Sequence, residues 1–126
     1  LLDECDVVVP VNTIAKYINF VNEYGKNFDF EVKSFGHAGD GNIHIYTCSN
    51  DLEIDEFKKQ VDEFMMEIYK KAYEFGGQIS GEHGIGHGKK IYLKEYENPE
   101  NIRLIKAIKK AFDPNNILNP NKIVDM

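Results

Sequence analysis

All four histidines of this chain fall in two glycine-rich stretches, GHAGDGNIH (36–44) and SGEHGIGHG (80–88). In the first, Asp40-Gly41 is a favoured dipeptide for a two-residue type I′ turn. Such a turn sets His37 directly opposite His44, with Ala38 facing Ile43. Opposed residues share a face, with Cβ atoms about 4.5–5.5 Å apart, a spacing that lets two imidazoles reach one metal ion. A histidine pair in a hairpin is, taken alone, more often ordinary polar surface. The second stretch changes the balance because it adds Glu82 and His83 side by side. Two imidazoles and a carboxylate are suitable ligands for Zn²⁺, or for Fe²⁺ or Mn²⁺ with open positions. That set would be His37, His44 and Glu82. His83 is then left over as an acid or base, which suits an ordinary histidine pKa of about 6.5. His87 is either a fourth ligand or, more plainly, a solvated loop histidine. The glycines resemble a phosphate loop, but the Lys-Ser/Thr of a P-loop is absent at the required offset.

These residues need elements to hold them. The β-branched run 6–9, closed by Pro10, predicts a strand. Asn12 or Thr13 can cap a helix to about Tyr24, with Ile14, Ile18 and Val21 on one face and Gly25 after it. Residues 28–36 alternate, Phe28, Phe30 and Val32 on one side and Asp29, Glu31 and Lys33 on the other. A second strand follows from Ile43 to about Cys48. The hairpin register puts Ile43 and Ile45 on the Phe30 and Val32 face, and the histidines opposite, with Phe35 and Tyr46. Ile54, Phe57, Val61, Phe64, Met65, Ile68, Ala72 and Phe75 then keep helical spacing for about six turns. Residues 78–80 are a short strand candidate. A last helix begins at Pro99 after the Asn98 cap and ends before Asp113-Pro114, leaving a tail over 115–126. The order β-α-β-β-α-β up to residue 80 predicts an α+β, ferredoxin-like split βαβ sheet with its helices on one face. A C-terminal helix and tail complete a single domain over 1–126.

Composition narrows the function classes. The 126 residues carry a formal charge of −6, from 15 Lys plus Arg against 21 Asp plus Glu, so no basic face for nucleic acid is evident. Apolar runs are only a few residues long, so neither a transmembrane helix nor a secretory signal is expected. Cys5 and Cys48 lack the spacing of a metal or disulfide framework, which favours reduced thiols and the cytoplasm. The basic residues are 14 Lys and one Arg, with 14 Ile and 12 Asn, a bias that fits an AT-rich bacterial genome. The opening Leu-Leu-Asp-Glu-Cys-Asp, with no initiator Met, reads as the middle of something longer, which would make the chain an excised domain.

GHAGDGNIH (36–44), SGEHGIG (80–86) and DPNNILNPNKI (113–123), with DVVVP (6–10), resemble the signature stretches of the C-terminal cap domain of FAD-linked oxidases of the vanillyl-alcohol oxidase type. The likeness is to the D-lactate dehydrogenase and glycolate oxidase FAD-subunit branch, and it runs in order through nearly the whole chain. It implies oxidation of a small 2-hydroxy acid, with FAD held mainly by a separate N-terminal domain. It implies a divalent metal on His37, His44 and Glu82, and His83 as the base. Asn119 resembles a position close to the flavin ring. Tyr46 stands where hydroxyglutarate-type members carry Asn, which implies a substrate contact suited to lactate or glycolate rather than a long diacid. Relatives often have an aromatic or basic residue where His87 stands. The branch implies an electron acceptor such as electron-transfer flavoprotein, an iron–sulfur subunit or quinone. Two other readings use the same residues: a free-standing ferredoxin-like module that binds a ligand or protein through Phe35, Tyr46, His37 and His44, and a metal hydrolase.

Overall fold

The computed structural model describes all 126 residues. They form two compact units, Leu1–His83 and Gly84–Met126. In the first, β1 (Leu2–Val8), β3 (Asn42–Cys48) and β2 (Glu31–His37) make an antiparallel sheet in the order β1-β3-β2. A short 3₁₀ turn (Val11–Thr13) leads into α1 (Ile14–Gly25), and α2 (Ile54–Glu74) follows β3. This is the α+β, ferredoxin-like architecture that the alternation and helical spacing predict.

Period-2 alternation decides which face is covered. Cys5, Val7 and Val9 of the first strand region, and Ile43, Ile45 and Thr47 of β3, are buried. Against them lies the apolar stripe of α2, where Phe57, Val61, Phe64, Met65, Ile68, Tyr69 and Ala72 are buried. Helix α1 contributes Tyr17 and Val21, and the Tyr17 hydroxyl donates to the Ile68 carbonyl at 2.9 Å, tying the two helices together. Tyr24, Phe28, Phe30, Phe57 and Phe64 close one end of the core as a set of edge and stacked rings.

Several local expectations shift. The first strand begins at Leu2 rather than Asp6, because the ladder to β3 runs from Leu2↔Cys48 to Val8↔Asn42. No side chain caps α1; the Thr13 hydroxyl instead donates back to the Pro10 carbonyl. Phe28 and Phe30 precede β2, because the Phe28 N–H turns back to the Gly25 carbonyl and the Asp29 N–H goes to the Gln60 side chain. The fourth strand shrinks to one bridge, Val8↔Gln78, on the free edge of β1. Beyond it the Asp6 side chain, rather than the β1 backbone, takes the N–H groups of Gly81, Glu82 and His83. The bridge still places this segment where the fourth strand of the split βαβ order belongs.

The hairpin differs in one consequential way. The strands are joined by residues 38–41, and His37 pairs with Asn42, Gly36 with Ile43 and Phe35 with His44. The register is two residues from the expected one. A shift of two keeps every side chain on its face, so the histidines still share the uncovered face but sit diagonally. Gly41 closes the loop at φ 80°, and a Cβ there would lie 2.0 Å from the Val9 carbonyl oxygen. Only glycine accommodates both.

The second unit holds α3 (Lys90–Tyr96), which the sequence reading did not anticipate, and α4 (Pro99–Phe112). The Asn98 side chain accepts from the Glu100 N–H and Pro99 opens the helix, as expected of that pair. The tail is organised by Asp113, whose carboxylate accepts from the Ile117 and Leu118 N–H groups. Its turns put Asn116, Asn119, Asn121 and Ile123 at positive φ. No helix is long and apolar enough to cross a membrane.

Candidate functional site

The uncovered face of the sheet carries the residues that alternate with the core set. Across the ladders Glu4 lies opposite Tyr46, Asp6 opposite His44, and Phe35 on the other side of His44. Phe35 stacks on Tyr46 with ring centroids 5.3 Å apart and lies 5.4 Å from the His44 ring. The sheet therefore presents one buried imidazole, His44 (6% exposed), with an aromatic wall on the β2 side and two carboxylates on the β1 side.

Residues 81–83 are brought to this face by Asp6. Its carboxylate is fully buried, and its Oδ2 accepts from the backbone N–H of Gly81 at 2.7 Å, Glu82 at 2.7 Å and His83 at 3.1 Å. The Ser80 hydroxyl approaches the same carboxylate. A buried carboxylate needs such donors to offset its lost hydration, and here the need shapes the loop. Gly81 is required for a different reason: a Cβ would fall 1.8 Å from the Asn42 side-chain nitrogen, which itself donates to the Val7 carbonyl.

The loop delivers Glu82 Oε1 to 3.1 Å from His44 Nε2 and 3.8 Å from His83 Nε2. His37 and His44 have ring centroids 6.1 Å apart, and His44 and His83 5.0 Å. One ligand atom from each of His37, His44 and Glu82 lies within 4.8 Å of the others. Ligands about 2.1 Å from a tetrahedral ion sit about 3.4 Å from one another, so small rotations of the exposed His37 and Glu82 side chains bring this set to coordinating distances. A second group, Glu4, His44 and His83, meets the same separation. Both sets share His44, the least mobile member by burial. Its Nδ1 faces Glu4 Oε1 at 3.5 Å, the kind of carboxylate contact that orients a ligating imidazole. The donor chemistry therefore fits a divalent ion of the zinc, iron or manganese type.

Tyr46 lies on this face too. Burial first, and then the hydrogen bond and charge of the Glu4 carboxylate, raise its pKa above the ordinary tyrosine value. The phenol thus stays protonated as a donor. Asn119 belongs to the second unit, where its backbone is left-handed at φ 46°. His87 also belongs to that unit, exposed, with Nδ1 3.4 Å from the Asn121 carbonyl. The sequence reading assigned no role to Glu4 or Asp6. Their signal was two acids at alternating positions on a strand whose other face is Cys5, Val7 and Val9.

With this geometry in view, comparison with known proteins is direct. The family described as FAD linked oxidases, C-terminal domain, matches residues 1–123. The chain belongs to that family. This FAD-linked oxidase C-terminal domain is 63% identical over 123 residues to D-lactate dehydrogenase of Anaerostipes hadrus, covering 98% of the chain and 26% of that protein. It is 43% identical over 118 residues to glycolate oxidase subunit GlcD of Bacillus subtilis, covering 94% and 25%. With D-lactate dehydrogenase of Archaeoglobus fulgidus the identity is 40% over 124 residues, covering 98% and 27%. The chain thus spans about a quarter of the length of these relatives.

Proposed function

We propose that this domain is the substrate- and metal-binding cap of a flavin-dependent 2-hydroxy acid dehydrogenase of the bacterial cytoplasm that converts D-lactate or glycolate to the 2-oxo acid. The observation that carries the reading is the convergence of His37, His44 and Glu82, from two strands and a loop, with donor atoms within 4.8 Å. The names of the relatives support the substrate class.

In this reading His37, His44 and Glu82 hold a divalent ion. When bound, that ion supplies Lewis-acid polarisation of the substrate hydroxyl and carboxylate. His83 takes the hydroxyl proton at Nε2, the ring nitrogen opposite the one facing Glu4. The aromatic wall of Phe35 and Tyr46 limits the length of the substrate. Asp6 keeps Glu82 and His83 in place through their backbone. FAD, held mainly outside this chain and contacted by Asn119, supplies the hydride acceptor. Electron-transfer flavoprotein or an iron–sulfur subunit would then reoxidise it.

The test is metal content and turnover of the flavoprotein carrying this domain, with His37→Ala and His44→Ala. Each variant is expected to lose bound metal and most of its D-lactate or glycolate oxidation while keeping FAD. Wild-type metal content together with wild-type turnover in either variant would sink the metal role.

A further inference from the structure

The second unit contains a cavity of about 400 Å³, walled by α3, α4 and the tail. That volume is in the range of small-molecule sites, and no residue of the sheet-face site lines it. Leu93 and Val124, both buried, form its inner part, and Ile91, Ile102 and Ile123 its flanks. The tail wall is fixed in place. The Ile123 N–H donates to the Gly86 carbonyl and the Val124 N–H to the Lys122 carbonyl, both at 2.7 Å. The second bond closes a γ-turn that holds Ile123 at φ 65°. That backbone is costly for a β-branched residue and persists only where the surroundings impose it.

Three lysines rim this apolar lining, Lys90 and Lys94 from α3 and Lys106 from α4, with one carboxylate, Asp125, among them. Lys90 Nζ donates to Asp125 Oδ1 at 2.6 Å. That hydrogen bond is the main cause of a lowered Asp125 pKa; burial opposes it, and the charges of Lys90, Lys94 and Lys106 add to it. Lys94 and Lys106 act on Asp125 through charge alone, so the rim holds a surplus of cations. The whole unit shares the bias, with 8 Lys plus Arg against 5 Asp plus Glu, where the first unit has 7 against 16. Low-dielectric walls concentrate such a field, and lysine stems extend an apolar wall while their ammonium heads stay in water. A neutral hydrocarbon would leave the lysines unused, and a free phosphate would leave the apolar lining unused. Asp125 shows that these cations already receive a carboxylate.

We propose that this cavity binds a medium-chain carboxylate, with its hydrocarbon chain against Ile91, Leu93, Ile102 and Val124 and its carboxylate at Lys94 and Lys106. The site is separate from the proposed metal and substrate site, and lactate or glycolate has no chain to fill it.

The test is titration of octanoate into the flavoprotein carrying this domain, with the methyl groups of Ile, Leu and Val labelled with ¹³C. Saturable shifts are expected at Ile91, Leu93, Ile102 and Val124. Affinity should rise about fourfold per methylene from butanoate to octanoate, and octan-1-ol should bind more weakly than octanoate. Lys94→Met combined with Lys106→Met is expected to weaken octanoate binding about tenfold. Asp125→Asn removes the competing carboxylate and is expected to tighten it about two- to fivefold. All three side chains are exposed, and circular dichroism checks that the variants keep the fold. Absence of saturable shifts at these methyl groups in the wild type would overturn the proposal. So would equal affinities for butanoate and octanoate, octan-1-ol binding as tightly as octanoate, or a folded double lysine variant that binds octanoate like the wild type.

Discussion

Asp6→Ala removes the single carboxylate oxygen that accepts three backbone N–H groups, at 2.7, 2.7 and 3.1 Å. A hydrogen bond to a charged group contributes about 1.5–3 kcal/mol net, so the gross loss is about 4.5–9 kcal/mol. Two effects reduce it. Residues 81–83 are exposed, so their freed N–H groups can turn to water, and the folded state no longer has to desolvate a carboxylate that is fully buried. The expected net destabilisation is about 2–4 kcal/mol, at the upper end for a single substitution. Asp6→Asn keeps an acceptor oxygen but not its charge and should cost about half as much. Urea unfolding measures the total. Amide hydrogen exchange localises it, with protection at 81–83 lost before the β1–β3 ladder opens. Glu82 and His83 should drift from His44, and a misplacement of about 1 Å can cost about 100-fold in rate. An Asp6→Ala protein within about 0.5 kcal/mol of wild type, with unchanged exchange at 81–83, would show that this carboxylate does not hold the loop.

Three further outcomes follow from particular contacts. Burial first, and then the charge of Cys5, raise the Tyr17 pKa well above its ordinary value of 10. Folded Tyr17 therefore keeps its proton when the unfolded chain has lost it, and its contribution to stability, full below pH 10, is lost as pH rises toward the folded pKa. Stability should fall by up to about 1.4 kcal/mol per pH unit above about pH 10; Tyr17→Phe should flatten that limb while costing about 1 kcal/mol at neutral pH, and parallel alkaline curves would count against it. Gly41→Ala meets both the positive φ of 80° and the Val9 carbonyl at 2.0 Å, so about 3 kcal/mol or more is expected by chemical denaturation. Gly39→Ala, with nothing within 4 Å, should stay within about 0.5 kcal/mol, and equal effects at the two positions would contradict the structure. Finally, the hydrogen bond from Lys109 is the main influence lowering the Asp113 pKa; burial opposes it and the Ile117 and Leu118 N–H groups assist it. That contribution is present above the unfolded value of about 3.9 and is lost as pH falls through the lower folded one, so Lys109→Met should weaken the acid-side pH dependence of the urea midpoint, and an unchanged dependence would remove Lys109 as the cause.

The parts of the protein legible in its residues are those governed by local periodicity and local chemistry. The α2 stripe, the Asn98-Pro99 helix start and the face assignment of β2 and β3 each depend on neighbours within a few positions. The grouping of His37, His44 and Glu82 was legible because face parity in a strand survives a register error of two; the pairing of His37 with Asn42 was not, for the same reason. Alternation cannot distinguish registers two residues apart, and it took the actual loop over residues 38–41, packed against Val9 through Gly41, to choose between them. Helix α3 escaped notice because Lys90–Tyr96 is too short to display a helical period. The fourth strand was overcalled because its edge is taken over by a side chain. Glu4 and Asp6 were invisible as site residues because their partners lie far along the chain, 75 to 77 residues away for the three N–H groups on Asp6. A carboxylate in a strand signals only that something must satisfy it. Which groups do so, and hence where Glu82 and His83 stand, depends on the packing of a distant loop against β1, which no local pattern encodes.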